Sequence, residues 1–467
     1  MRRILNVRLL LVGALAVATV LATGVVFRPA PAGAQSAKTY VLYAGQWGAN
    51  QDAALAAAGG IVTFSHKKCG VGVVTSVFPD FLKQALASKA FTGGSEDAMV
   101  QWEPPTRQGD MVEAAITPGD ETFINAQWNV KAVEAEGAWS AGYSGLGARV
   151  AVLDGGIYNS HIDLTGQVDL AVSKSFVPGF AFNQDVGTFW HGTHVAGIIA
   201  AKDNGIGTIG IAPYATIIGV KVLHNGSGYF SWIIQGILYA STPLAEGGAG
   251  ADIINMSLGA VFPKAGGMGP LVAALNKAVN YAGQQALVVS AAGNDYLDLD
   301  HSGSYISVPA MSGSGIAVSA TGPVGYAVGY PNGATNFRRP ASYTNFGNSI
   351  IWLAAPGGDF VLPGNALCTV PRVPSGNVTT NCWVFDMVMS TIRGSGSSIS
   401  TYSWAAGTSM AAPAVSAVAA LVVQRYPGIP VGHLKTLLAN TADDEGKPGH
   451  DPYYGRGFVN ARRAVTE

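Results

Sequence analysis

Ser409 stands in the run Gly407-Thr408-Ser409-Met410-Ala411-Ala412-Pro413, where a glycine permits a tight turn and a small, helix-forming stretch to Val423 follows. A hydroxyl at the start of a buried helix faces unpaired N–H groups and the positive end of the helix dipole, which favour developing negative charge. Pro413 is expected in the first turn, where its missing N–H is not needed. Serine is a weak nucleophile until a base removes its proton. The chemistry open to this position is acyl transfer, and it requires a histidine and a carboxylate.

Both residue types occur in suitable surroundings. Arg149-Val150-Ala151-Val152-Leu153-Asp154-Gly155-Gly156 reads as a buried strand ending on Asp154, and ligands collect at the carboxyl ends of parallel strands. Trp190-His191-Gly192-Thr193-His194-Val195-Ala196-Gly197 opens a helix on His191. Gly192 and Gly197 would weaken an exposed helix, so they predict close packing against the sheet. Leu287-Val288-Val289-Ser290-Ala291-Ala292-Gly293-Asn294 is another buried strand, delivering an amide at its end. Taken singly, Ser409 reads as an N-cap, Asp154 and Asn294 as turn formers, and His191 as a cap or surface group. His194 reads as a packing and hydrogen-bonding residue rather than a second base.

A competing set uses the same serine. Gly407-Thr408-Ser409-Met410-Ala411 is close to the nucleophile elbow of α/β-hydrolases, whose partners would be Asp443 or Asp444 with His450. That pattern lacks its final glycine here, no strongly apolar strand is expected just before Ser409, and Asp154 and His191 would be left idle.

Together the four segments closely resemble those of the subtilisin-like serine proteases (subtilases, peptidase family S8). The order Asp, His, Asn, Ser is the same, and the likeness runs from about Gln127 to Val465. The resemblance implies an α/β catalytic domain with a central, mostly parallel sheet flanked by helices, and a secreted serine endopeptidase. Ser409 would attack a peptide carbonyl, His191 would carry the proton, Asp154 would orient the imidazole, and Asn294 would help hold the oxyanion. Ser257-Leu258-Gly259 resembles the family strand that pairs with an extended peptide. Ala291, Ala292 and Gly293 would wall a specificity pocket with Ser307 at its base, roomy and without an evident acid, suiting large apolar or aromatic side chains. A catalytically silent relative that binds peptides is the alternative from another class.

The resemblance also implies structural calcium. Lys202, Ile206 and Thr208 match positions that supply carbonyl oxygens to a hard cation, Asn204 and Gln127 match amide ligands, and Asp163 matches the carboxylate. Asp163 as the cap of a local turn is the ordinary reading. No organic cofactor is implied.

The chain has 467 residues, enough for one large domain and a smaller one. A formal charge of -1 gives no electrostatic reason to expect nucleic acid as a partner; polypeptide substrates and a monomer are expected. Arg2, Arg3 and Arg8 precede an apolar run from Leu9 to Phe27, and Ala32-Gly33-Ala34 offers a cleavage site. Residues 1–34 thus read as a signal peptide, with an uncleaved membrane anchor as the alternative. Residues 35–102 read as a small β-α-β-β-α-β, ferredoxin-like domain whose last strand lies near Met99-Val100-Gln101. It resembles the inhibitory propeptides of subtilases; a permanent accessory domain is the other reading. Residues 103–123 read as a linker containing the processing site, and residues 124–467 as the catalytic domain. Cys368 and Cys382 share one polar loop, whose closure by a disulfide would contribute about 3 kcal/mol; two free thiols are the alternative. The segment from Gly357 to Trp404 has no clear counterpart in the family, and its place before Ser409 suits it to cover or extend the cleft.

Overall fold

The computed structural model describes residues 36–103, 107–113, 121–395 and 401–467. The segment read as a signal peptide lies outside the described residues, as do residues 104–106 and 114–120 of the linker. Among the described residues no helix is long and apolar enough to cross a membrane.

The N-terminal module comprises β1 (Lys38–Tyr43), α1 (Ala49–Ala58), β2 (Ile61–His66), β3 (Val71–Ser76), α2 (Phe81–Ala87) and β4 (Gly93–Glu96). Its four strands are ordered β2-β3-β1-β4. Tyr40, Leu42, Leu55, Val74 and Phe81 close its core. Helix α1 stops at Gly59, whose φ of 84° is left-handed and whose Cβ position the Phe78 ring fills. The strand expected near Met99 is not the last of this sheet; Gly93–Glu96 takes that place. Sequence reasoning passes over it because paired glycines weaken an isolated strand. Here Gly94 lies close to the Val41 carbonyl and Leu42, where a side chain would collide.

β5 (Met99–Gln101) and β6 (Arg107–Glu113) follow, the latter inside the segment read as a linker. Two short helices, α3 (Trp128–Ala132) and α4 (Ala135–Ser140), lead into β7 (Arg149–Asp154), β8 (Lys174–Ser175) and α5 (His191–Ala200). Next come β9 (Thr216–Lys221), β10 (Ser227–Tyr229), α6 (Phe230–Ser241), β11 (Ile253–Met256), β12 (Ala260–Pro263) and α7 (Gly269–Ala282). They are followed by β13 (Leu287–Ala291), β14 (Tyr305–Val308), β15 (Ile316–Thr321), β16 (Ile351–Pro356), β17 (Leu367–Pro371) and β18 (Asn377–Asn381). The remaining elements are β19 (Val388–Ile392), β20 (Thr401–Ala406), α8 (Thr408–Arg425), α9 (Val431–Asn440) and α10 (Ala461–Thr466).

Seven strands form the central sheet in the order β16-β15-β13-β11-β7-β9-β8, and every neighbouring pair is parallel. The apolar run of β7 explains its central place. Val150 and Val152 enter the core shared with α5 and α8, while Ala151 and Leu153 enter the core shared with α6 and α7. Gly192 and Gly197 both mark close approaches, but to different partners. A Cβ on Gly192 would lie 2.8 Å from Asp154 Cβ at the end of β7; one on Gly197 would lie 2.3 Å from Ser390 Oγ and Thr391 Oγ1 of β19. Helix α5 is therefore clamped between the central sheet and a second, three-stranded sheet ordered β19-β20-β6.

The N-terminal module is docked on the catalytic domain. Helix α7 lies across β1, β3 and β4, and Val41, Cys69 and Val71 share an apolar cluster with Ile233, Ile237, Leu271 and Leu275. Cys368 and Cys382 form a disulfide that ties β17 to the end of β18; Cys69 is a buried free thiol.

Candidate active site

The four chemistry-bearing residues lie at or just after strand ends, or at helix starts. Asp154 ends β7, Asn294 follows β13 and Ser409 is the second residue of α8. His191 opens α5, held by Trp190, whose φ of 48° is a left-handed conformation rarely adopted by a bulky residue. Asp154, His191 and Ser409 are all buried.

The His191 Nδ1–H donates to Asp154, at 2.9 Å from Oδ2 and 3.1 Å from Oδ1. The Gly155 N–H donates to Asp154 Oδ1 at 2.7 Å, fixing the carboxylate. Burial alone would lower the imidazole pKa, but the carboxylates of Asp154, Glu103 and Asp185 outweigh it and push His191 up to about 9. His191 Nε2 is buried without a hydrogen-bond partner. The Ser409 hydroxyl donates to the Ser257 carbonyl at 3.2 Å instead.

Asn294 Oδ1 accepts from the Thr408 N–H at 2.9 Å and the Thr408 hydroxyl at 2.7 Å. Fixing that end of a planar amide fixes its NH2 end too. Gly293, with φ of 107°, makes the turn, and its N–H donates to Thr408 Oγ1 at 3.1 Å. Thr408 was not singled out by sequence reasoning, yet it orients the amide from the neighbouring helix.

Pro413 lies in the second turn of α8, not the first. Its missing N–H leaves the Ser409 carbonyl, four residues back, without a helical partner. The Ser257 hydroxyl donates to that carbonyl at 2.7 Å, Asn255 Nδ2 donates to Ser257 Oγ at 3.0 Å, and Ser416 Oγ donates to Asn255 Oδ1 at 2.9 Å. This buried chain holds the backbone of Ser409. Alternation of polar and apolar residues gave no signal for Asn255 or Ser416; only the approach of β11 to α8 pairs them.

Behind the Asp154 strand lies another buried pair that the sequence did not announce. Lys221 Nζ donates to the carbonyls of Gly155 and of Leu223, the latter at 2.6 Å, and sits 3.8 Å from Asp185 Oδ1. Burial lowers Lys221 to about 8 and raises Asp185 to about 7. His194 matches its expectation. Its Nε2–H donates to the Ser403 carbonyl at 3.1 Å, and burial pushes it down to about 3, so it stays neutral.

The elbow alternative fails on geometry. Asp443 is ion-paired with Arg338 and Arg463, and His450 Nε2 donates to the Ile351 carbonyl at 3.1 Å. A buried strand, β20, does precede Ser409, contrary to expectation, but it belongs to the small antiparallel sheet.

The cleft beside Ser409 holds the chain's own residues. β5 pairs antiparallel with β10, the Trp102 N–H donates to the Gly226 carbonyl at 2.9 Å, and the Gly259 N–H donates to the Trp102 carbonyl at 2.8 Å. The Trp102 indole is fully buried, edge-on to Phe230 and Phe262, and donates to the Gly228 carbonyl at 3.0 Å. Glu103 follows, close enough to His191 for the two charges to interact. A cavity of about 350 Å³ beside it is lined by Gly259, Val261, Gly293, Ser307 and Asp295 among others. Gly293 and Ser307 line it as expected. Ala291 and Ala292 lie buried within and behind β13, and Asp295 brings an acid where none was expected. Leu258 is buried.

The loop singled out for calcium folds around Asp163. Asp163 accepts from the Thr208 N–H at 3.0 Å and from Asn204 Nδ2 at 3.3 Å, and the Lys202 N–H donates to its carbonyl at 2.9 Å. The Asn204 side-chain oxygen accepts from the Ile206 N–H at 2.9 Å. The Gln127 amide forms a closed pair with the Ile209 backbone, accepting at 3.0 Å and donating at 2.8 Å. Glu121, which sequence reasoning left in the linker, accepts from the Asn204 and Gly205 N–H groups at 2.9 Å, and its Oε2 is buried without a partner. Burial raises Glu121 to about 8 and Asp163 to about 7. Two buried carboxylates and an orphaned oxygen with no nearby ammonium fit an oxygen-liganded divalent cation. Among the described residues no cluster of three or more His, Cys, Asp or Glu is arranged as a metal site.

Comparison with known proteins follows the same lines. The subtilase family, Peptidase S8, matches residues 145–457. Subtilisin Savinase of Lederbergia lenta is 37% identical over 341 residues, covering 72% of this chain and 98% of that protein. Subtilisin E of Bacillus subtilis is 33% identical over 344 residues, covering 72% and 71%. The epidermin leader peptide processing serine protease of Staphylococcus aureus superposes with a TM-score of 0.70 at 20% identity, over 92% of this chain and 98% of that one, a likeness of fold.

Ser257→Ala would leave the Ser409 carbonyl buried and unpaired, a cost of about 1–3 kcal/mol. Chemical denaturation should show that loss, with turnover reduced beyond what unfolding explains. The chain belongs to the subtilase family and is a subtilisin-like serine endopeptidase.

Proposed function

We propose that this chain is a secreted endopeptidase made as a self-inhibited precursor, with Asp154, His191 and Ser409 as its catalytic triad. The carrying observation is the Asp154–His191 pair at 2.9 Å, beside a cleft filled by residues 99–103 of the same chain. In the reaction the Ser409 hydroxyl turns from the Ser257 carbonyl to His191 Nε2, gives up its proton and bonds to the substrate carbonyl carbon. The resulting oxyanion is held by Asn294 Nδ2 and the Ser409 N–H. His191 passes the proton to the departing amine, and water, deprotonated by the same imidazole, releases the acyl group.

Residues 35–102 act as the propeptide. What supports this is their placement: Trp102 fills an aromatic-lined pocket, and Glu103 sets a carboxylate beside the base. The processing site then falls between Glu103 and Arg107, within the stretch read as a linker. The catalytic portion begins beyond it. Export through a cleaved N-terminal signal fits the extracellular role. A catalytically silent peptide-binding relative has no observation in its favour.

Calcium is the third part of the reading. Asp163, Glu121 and Asn204, with the carbonyls of Lys202, Ile206 and Thr208, would hold it. The ion would neutralise buried carboxylates and brace the loop after α5; it takes no part in the reaction.

Three outcomes are expected. Ser409→Ala should accumulate as unprocessed precursor without caseinolytic activity, whereas the intact chain processes itself; gel analysis and a casein assay decide this. A raised imidazole pKa keeps His191 protonated, and so useless as a base, below about pH 9 in the precursor. Self-processing should therefore accelerate as pH rises toward that value, and Glu103→Gln should move the whole rate profile to lower pH. Chelation should lower the melting temperature, with recovery on adding calcium, since an ion that binds only the folded state stabilises it.

A further inference from the structure

We infer that the edge of β20 is a second peptide-binding subsite, which takes the residues following the cleaved bond by strand addition and in which Trp383 selects arginine or lysine. The inference rests on the protease reading above and extends it to the leaving-group side.

The placement is the first observation. β20 runs directly into Gly407-Thr408-Ser409, so any strand paired with it is held in fixed register to the nucleophile. The seven-residue β6 occupies that edge, antiparallel, with Arg107 opposite Ala406, Gln108 opposite Ala405, Met111 opposite Ser403 and Val112 opposite Tyr402. Glu103, four residues before Arg107, lies close enough to His191 for their charges to interact. Glu103 and the strand that starts at Arg107 are thus both held against the larger domain. Main-chain pairing of this kind, through the register of β6 on β20, is what strand addition uses.

Side-chain recognition is the second observation, and it comes from the insertion between Gly357 and Trp404. The Arg107 guanidinium sits 4.9 Å from the centre of the Trp383 ring, within the range of a cation–π attraction. Two residues on, Gly109 passes so close to the wall that a Cβ would lie 2.8 Å from Val384 Cγ1, 3.0 Å from Met387 Cε and 3.1 Å from Trp404 Cβ. Ser403 Oγ donates to the Gly109 carbonyl at 3.1 Å. The subsite therefore asks for a cation first and a glycine or similarly small residue next.

The wall is rigid, which makes it a selector rather than a passive neighbour. The Cys368–Cys382 bridge ends one residue before Trp383. Trp128 Nε1 donates to the Met387 carbonyl at 3.0 Å. The buried Asp386 carboxylate accepts from the N–H groups of Gly325 at 2.8 Å and Tyr326 at 2.7 Å. A preformed wall costs little to order when a peptide arrives.

The test uses quenched fluorogenic peptides carrying residues 99–113 of this sequence, cut by the processed enzyme. Replacing Arg107 by Glu in the peptide should lower kcat/KM about three- to tenfold. With the Trp383→Ala enzyme that ratio should fall close to one, while a peptide with a single residue after the cut is turned over at an unchanged rate. Self-processing of the full chain should slow in Arg107→Glu and Gly109→Val, with Ser409 intact. A ratio near one in the unsubstituted enzyme overturns the subsite. Equal loss on the short and long peptides in Trp383→Ala overturns it too, because the wall would then be merely structural. Failure to cut even the short peptide would instead sink the protease reading, so the two failures are separable.

Discussion

Everything at this site depends on holding the Asp154 carboxylate against the His191 imidazole in a buried place. Desolvating a carboxylate and an imidazolium costs several kcal/mol per ion, which close contact and further hydrogen bonds must offset. The 2.9 Å contact to Nδ1 and the Gly155 N–H supply them. Removing either partner of such a pair leaves the other buried and uncompensated, at a cost of about 3–5 kcal/mol. The central sheet exists, from this viewpoint, to bring the end of β7 and the first residue of α5 to that distance. Lys221 and Asp185 extend the charged region, and the Lys221 ammonium binds the carbonyls on both sides of the Asp154 strand end.

Ser409 is held by a different device. Pro413 breaks the helical bond to the Ser409 carbonyl, and the break is repaired from outside the helix by Ser257, Asn255 and Ser416. A helix defect thereby becomes an attachment point between α8 and β11. The same Ser257 offers its own carbonyl to the Ser409 hydroxyl, so one residue holds Ser409 by two bonds. With the hydroxyl bonded there, His191 Nε2 has no hydrogen-bond partner.

The chain's own strands show how one surface handles extended polypeptide. Main-chain pairing on β10 and on β20 brackets Ser409, and side-chain pockets sit at intervals: aromatic around Trp102, cationic over Trp383. Backbone pairing tolerates many sequences, while rigid walls add preference. The insertion that had no counterpart in the sequence reading is set against β6 by packing: the Arg107 guanidinium lies over the Trp383 ring.

The sequence by itself determined which residue types could do the chemistry and the strands and helices that carry them. Asp154, His191, Asn294 and Ser409 each sit in a local pattern of apolar run, glycine and helix start that is readable without contacts. Strand β7 could be placed in the middle of a parallel sheet because its residues between Arg149 and Asp154 are apolar on both faces. Only the tertiary structure decided what pairs across long separations. Met99–Gln101 reads as the last strand of its own module, yet it pairs with β10 of the larger domain. Residues 107–113 read as linker, yet they add to β20. Gln127 reads as a ligand and closes on Ile209, while Glu121 is brought in from the segment read as linker. Local pattern records burial and backbone preference, which are properties of neighbours in sequence. The partner of a strand edge or of a buried carboxylate is chosen by which distant backbone groups remain unsatisfied once the sheets and helices have packed.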